Sequence, residues 1–263
     1  MRIIDFHTHA FPDTIAPQAM KTLQEGADCT AFLNGTVADL LRSTDSAGIG
    51  TAVLASIATK PEQFSAILRW SGSVASERIV PFPSVHPDDA LGVDHVHHVA
   101  DLGFKGIKLH PYYQKFVLDD ERMMPLYAAM NERGLIVLCH TGFDIAFPHD
   151  RICDPQKIAV VKNRFPALKF VCSHLGAWDD WDEVEKYIIG KEIYMEMSYS
   201  QGYLPDERIR SFLTAHPKDY ILFGTDSPWM DQSQAVRFAR SLKIDPDRES
   251  ALFSGNASRL LGI

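Results

Sequence analysis

Strand-like and helix-like stretches alternate along this chain eight times, and that rhythm leaves few folds open. Short runs rich in β-branched and apolar residues cover 2–7, 51–56, 79–85, 106–110, 135–140, 169–174, 193–198 and 220–225. Stretches with helical spacing follow them at 36–47, 61–76, 91–102, 120–133, 154–164, 181–189, 206–216 and 232–242. Strands separated by helices pair in parallel through right-handed crossovers. Eight such units in 263 residues predict an α/β fold, a single (β/α)₈ TIM barrel spanning 1–263. A doubly wound open sheet is disfavoured, because no Gly-x-Gly-x-x-Gly follows the first strand. Local signals agree with this reading. Thr36 and Asp39 form a capping pattern, and Gly48 and Gly134 stand where helices stop. The connection 10–35 is long and carries Pro12, Pro17, Gly26 and Gly35, which reads as a functional excursion over the catalytic side. The tail 245–263 reads as two short helices, with Asn256 capping the last.

Charge narrows the partners. A net charge of −8 argues against nucleic acid and against a basic membrane-binding face, so a small-molecule substrate is expected. No apolar stretch reaches membrane-spanning length and no leader pattern opens the chain. The four cysteines, Cys29, Cys139, Cys153 and Cys172, lack Cys-x-x-Cys spacing and read as reduced thiols, which points to a cytoplasmic location.

The chemistry gathers at the strand ends. His7 and His9 close the first strand at i, i+2, a spacing that puts both imidazoles on one face. His95 and His97 share that spacing but lie in a helical stretch, where such positions diverge by about 200°. His140 ends the fifth strand, His174 the sixth, and Asp226 follows the eighth. All C-terminal strand ends of a parallel barrel open on one face, so these residues converge. Imidazoles with one carboxylate suit Zn²⁺, Mn²⁺ or Fe²⁺ better than Ca²⁺ or Mg²⁺.

This order of residues resembles the amidohydrolase superfamily. More narrowly, it resembles the amidohydrolase-2 (amidohydrolase-related) family, the branch with nonoxidative decarboxylases of the aminocarboxymuconate-semialdehyde decarboxylase type. The resemblance rests on Ile4-Asp5-Phe6-His7-Thr8-His9, Lys105-Gly106-Ile107-Lys108-Leu109-His110-Pro111, His140-Thr141-Gly142, His174-Leu175-Gly176, Thr225-Asp226-Ser227-Pro228 and the closing Asn256-Ala257-Ser258-Arg259-Leu260-Leu261-Gly262. It implies that His7, His9, His140 and Asp226 hold one divalent metal, with zinc expected first and manganese or iron allowed. His174 is then the catalytic base. Lys108 stands at the strand-four position. It is read first as a contact for a substrate anion or water, with a carboxylated lysine in a binuclear site, or a buried structural ammonium, as alternatives.

The expected activity is metal-assisted hydrolysis of a small ester, lactone or amide, with Asp226 or His174 taking the proton from water. Nonoxidative decarboxylation of an unsaturated or aromatic acid is the alternative, and a metal-binding barrel without catalysis is the third reading. A decarboxylase needs a cationic anchor for the departing carboxylate, and Lys108, Lys115 and Arg151 are candidates. Substrate contacts are expected from His110, Tyr112, Trp178 and Trp229, with Phe11, Tyr113, Gln114 and Phe143 shaping the pocket. Asp5 is expected to orient a ligating imidazole. Similar barrels often form homodimers, though no residue here locates an interface.

Overall fold

A computed structural model describes residues 2–263. Its eight strands are β1 (Ile3–Thr8), β2 (Ile49–Ala55), β3 (Ile79–Phe82), β4 (Gly106–Leu109), β5 (Ile136–Cys139), β6 (Lys169–Cys172), β7 (Tyr194–Glu196) and β8 (Ile221–Leu222). They lie in chain order and pair in parallel as β1-β2-β3 and β4-β5-β6-β7-β8. Thinner contacts bridge the two seams between these sheets. At the first, Lys108 N donates to Pro83 O (2.9 Å) and Ser84 Oγ to Lys108 O (2.8 Å). Pro81 and Pro83 have no N–H, so this stretch of chain accepts but cannot return a ladder bond from those residues. At the second, Phe6 N donates to Phe223 O and Asp226 N to His7 O, both at 2.8 Å, and Thr8 bridges Ser227 in parallel. Eight parallel strands in sequence order, joined at both seams, give the expected barrel architecture.

Two apolar layers hold it together. Ile4, Phe6, Val53, Phe82, Leu138 and Val171 belong to an inner cluster, which Ala257, Leu260 and Leu261 of the last helix join. A larger cluster packs the other side chains of the strands against the surrounding helices. Burying a Leu, Ile or Phe side chain contributes about 1.5–3 kcal/mol, so these layers dominate the fold's stability.

Local chemistry explains where elements begin and end. The helix Val37–Ala47 is capped by Thr36, whose side chain accepts from Asp39 N, and stops at Gly48 with φ +70°. Several strands are shorter than the sequence runs predict; after β6 the chain leaves extended geometry at His174 and Leu175, with φ of +59° and +54°. The connection 10–35 contains a helix, Ala16–Ala27, that the sequence reading missed. No side chain caps its start. The tail also differs from expectation. Asn256 is buried inside a helical run and caps nothing; its Nδ2 donates to Lys218 O (2.7 Å) and Ile221 O (2.8 Å), which ties the tail to β8. Among the described residues, no helix is long and apolar enough to cross a membrane.

Candidate metal centre

His7 lies within β1, and His9 just beyond it. His140 follows β5 directly, His174 lies two residues past β6, and Asp226 lies four past β8. The left-handed backbone at His174 and Asp226 is costly for residues with side chains and persists only where neighbours enforce it. Here Leu175 N donates to Glu196 O (2.7 Å), and Asp226 N to His7 O (2.8 Å).

His7 Nε2, His9 Nε2 and Asp226 Oδ1 form a triangle. The His7–His9 and His9–Asp226 sides measure 3.1 Å and the His7–Asp226 side 3.4 Å. A cation bonded at about 2.1 Å to each donor sets its ligands about 3.0–3.4 Å apart, so the triangle fits one. The ring nitrogens pointing away from it give a stronger reason. His7 Nδ1 faces Glu196 Oε1 (2.9 Å), and His9 Nδ1 faces Ala55 O (2.8 Å). Burial pushes the Glu196 carboxyl up to about 7; with that group ionised, both acceptors take N–H from Nδ1, which leaves a bare lone pair on each Nε2. Two lone pairs at 3.1 Å repel; Lys108 Nζ, 2.8 Å from His7 Nε2, can donate to one of them, and a cation between the rings would satisfy both.

The same arrangement recurs beside the triangle. His140 Nε2 faces Phe143 O (3.0 Å), and His174 Nδ1 faces Ser198 O (3.2 Å). Their free atoms, His140 Nδ1 and His174 Nε2, then meet as lone pairs at 3.2 Å. His140, expected as the fourth ligand, lies outside the three-donor triangle and belongs to a second cluster with His110 and Asp144. His110 stacks on His140 with ring centroids 4.2 Å apart, and its Nε2 lies 3.3 Å from Asp144 Oδ2.

Burial sets the charge states. It holds His140 and His174 at about 3, helped by His110 beside the first and His140 beside the second. His7 is driven well below the usual imidazole range by burial and then by Lys108. Neutral rings are what metal ligation requires. Burial alone would raise the Asp226 carboxyl, but the polar groups that face it, His9 first and then His174 and Lys108, outweigh it and keep the group below the usual range. Lys108 is fully buried, and its Nζ lies 2.8 Å from His7 Nε2. Burial lowers its pKa against the pull of Asp226.

A cavity of about 680 Å³ opens over this cluster, and Lys108 is the only lysine or arginine among its described lining residues. His110, Trp178 and Trp229 line it as expected, with Phe11, Tyr113 and Phe143. Ser56 Oγ and Trp178 Nε1 are buried in its wall without a protein hydrogen-bond partner. Three expected pocket residues are placed elsewhere. The Tyr112 hydroxyl donates to Asp150 O (2.7 Å) and so braces a loop. Arg151 pairs with Asp180 at 2.7 Å, which turns the cation away from the cavity. Gln114 joins His110 N to Val85 O across the β3–β4 seam.

Asp5 also departs from expectation. The register of β1 is irregular between Asp5 and Thr8. The Asp5 carboxylate accepts from Thr225 N (2.9 Å), Thr225 Oγ1 (2.6 Å) and Gln232 Nε2 (2.8 Å), so it braces the β8–β1 seam and touches no imidazole. The carboxylate that orients His7 is Glu196 of β7, which the sequence reading missed. It is fully buried and also accepts from Ser198 N (2.6 Å), Ser198 Oγ (2.8 Å) and His174 N (3.1 Å). An acidic residue in the apolar run 193–198 was the signal. Gly224 packs on it so closely that any Cβ there would collide with Glu196 Oε2.

Comparison with solved structures shows the same fold in several proteins. An uncharacterised TIM-barrel protein from Bordetella bronchiseptica is similar with a TM-score of 0.78 at 20% identity, covering 100% of this chain and 99% of that one. A 2,6-dihydroxybenzoate decarboxylase from Rhizobium gives 0.70 at 16%, covering 100% and 99%. A 5-carboxyvanillate decarboxylase from Novosphingobium aromaticivorans, complexed with manganese, gives 0.72 at 14%, covering 100% and 96%. No curated protein matches the sequence. A family model described as Amidohydrolase matches residues 4–263, and with barrel, strand-end histidines and Asp226 in place, the chain belongs to that amidohydrolase family.

Proposed function

We propose that the protein is a metal-dependent, nonoxidative decarboxylase of an aromatic or unsaturated carboxylic acid. The carrying observation is Lys108, a buried ammonium 2.8 Å from the ligand atom of His7 and without a lysine or arginine beside it in the cavity wall. A departing carboxylate needs such an anchor. Hydrolysis of an ester, lactone or amide, the first expectation from the sequence, gives a buried ammonium no comparable task. Two of the proteins that share the fold are decarboxylases of hydroxylated benzoates, which supports the same choice.

His7, His9 and Asp226 would hold the metal, zinc or manganese. When bound, it supplies a Lewis acid that stabilises negative charge on the substrate. The protein's own groups do the rest. Lys108 pairs with the substrate carboxylate. The bond from that carboxylate to the substrate carbon breaks, its electron pair stays on the carbon, and CO₂ leaves. The carbon must then carry a proton in place of the carboxylate. His174 relays it: with Ser198 O holding its Nδ1, its Nε2 takes a proton from water and hands it to the carbon, a transfer its low pKa favours. The hydroxide left behind combines with the departing CO₂ as bicarbonate.

The test is CO₂ release from a panel of hydroxybenzoates and unsaturated acids by metal-loaded protein, beside acid release from lactones and esters. Decarboxylation that falls at least about a hundredfold in Lys108→Met is expected. Hydrolysis of lactones or esters with no CO₂ from any acid would overturn the reading.

A further inference from the structure

The cavity has two unlike ends. Its charged groups, Lys108, Asp144 and Asp226, gather with the imidazoles at the strand ends. From there it continues as a groove between the helices Ala16–Ala27 and Phe64–Val74. Ala19 and Leu23 line it on one helix, one turn apart, and Ala66, Ile67 and Trp70 on the other. No residue that either helix presents to the groove is charged; Gln18, Thr22 and Gln63 are uncharged polar points along it. The alanines leave it open, and at 1.5 Å per residue the stretch from Gln63 to Trp70 runs about 10 Å, the length of roughly eight methylenes.

The rim is apolar too. Ile15, Phe32, Ile145 and Tyr203 are 51%, 53%, 45% and 47% exposed. Ile15 and Ile145 line the cavity. Phe32 N donates to Pro228 O beside Trp229, and Tyr203 packs on Trp178 with ring centroids 5.4 Å apart. Large apolar side chains exposed singly need no explanation, but four around one opening do.

We infer that the substrate is an amphiphile, with an acid head at Lys108 and the His7–His9–Asp226 triangle and an alkyl or aryl tail in the groove between the two helices. This deepens the decarboxylase reading and rests on it for the head group alone. A single-ring acid would occupy the charged end and leave the groove bare. A tail removes apolar surface from water along Ala19, Leu23, Ile67 and Trp70.

The experiment uses metal-loaded protein and 4-alkyl-2-hydroxybenzoates from methyl to octyl. Binding is read by calorimetry and by quenching of tryptophan emission, and CO₂ release is followed separately. Affinity should rise about two- to fourfold per methylene, the range for half to full burial, and level off near eight carbons. Ala66 is solvent-exposed in this structure, so Ala66→Trp should fold; it should cut octyl affinity to that of methyl and leave methyl binding unchanged. Ile67→Gln should give a smaller loss in the same direction. Affinity that is flat from methyl to octyl overturns the inference, as does a tail effect that Ala66→Trp leaves intact. So does octyl binding only at concentrations where the probe forms micelles, because adsorption to the rim would explain it. Tail-dependent binding without CO₂ release would sustain the groove and sink the decarboxylase reading.

Discussion

Replacing Glu196 by glutamine tests whether a carboxylate 189 positions away in sequence prepares His7 for metal. The change removes no volume, so its effect comes from hydrogen-bond polarity. Glu196 accepts four bonds: from His7 Nδ1 at 2.9 Å, His174 N at 3.1 Å, Ser198 Oγ at 2.8 Å and Ser198 N at 2.6 Å. A carboxylate satisfies them all, but an amide turns two N–H groups towards donors whichever way it is placed. With its oxygen towards His7, the NH₂ meets Ser198 N, a buried donor left unpaired at a cost of about 1–3 kcal/mol. With the NH₂ towards His7, the imidazole must carry its proton on Nε2, and the lone pair that faces His9 and Asp226 is lost. Loss of such an orienting partner typically costs about 10- to 100-fold in metal affinity. Competition titration against a chelating dye, with zinc or manganese and with folding checked by circular dichroism, reads the result. A folded variant with wild-type affinity would show that His7 is oriented by something else, and the tautomer argument would fall with it.

The other predictions are simpler. His7→Ala should leave the barrel folded but retain less than a tenth of the wild-type metal after dialysis; undiminished metal content would refute the triangle. His174→Ala should keep most of its metal while turnover falls by about two to four orders of magnitude, and metal loss instead would make His174 a ligand. Gly224→Ala should displace Glu196 and mimic the metal defect of Glu196→Gln, so normal affinity there would count against the tight packing at β8. His216 gives a pH test away from the site. Burial lowers it from 6.5 to about 4, its Nε2 bonds Ile193 O at 2.8 Å, and its Nδ1 has no partner to receive a second proton. The unfolded chain takes up that proton below about pH 6.5 and the folded one only below about 4, so this stability is complete above 6.5 and lost on acidification. Between pH 7.5 and 5 the loss is about 2 kcal/mol, and urea denaturation of His216→Gln should show a pH dependence flatter by that amount. Parallel curves for the two proteins would refute it.

What the sequence reveals here, and what it hides, follows from how far each signal reaches along the chain. The barrel was legible because each strand, each cap such as Thr36, and each stop such as Gly48 is decided within a few residues. His7, His9 and Asp226 were legible because a barrel brings its strand ends to one face whatever the loops do. Glu196 was hidden because its meaning depends on His7, and nothing local marks an acid in β7 as that ring's partner. Asp5 was misassigned for the converse reason: strict alternation places it with His7, but the register breaks between Asp5 and Thr8. Tyr112 and Tyr113 are the sharpest case. Both sit in the short helix Pro111–Gln114, where neighbours point about 100° apart, so one braces Asp150 O and the other lines the cavity. The same division separates reaction from substrate. Strand ends fix the charged pole of the cavity, where the chemistry belongs. The apolar pole depends on Ala16–Ala27, an uncapped helix in a connection whose sequence announces only that it is long. The head-group chemistry is therefore written in the barrel, and the length of the molecule it accepts is written in that one excursion.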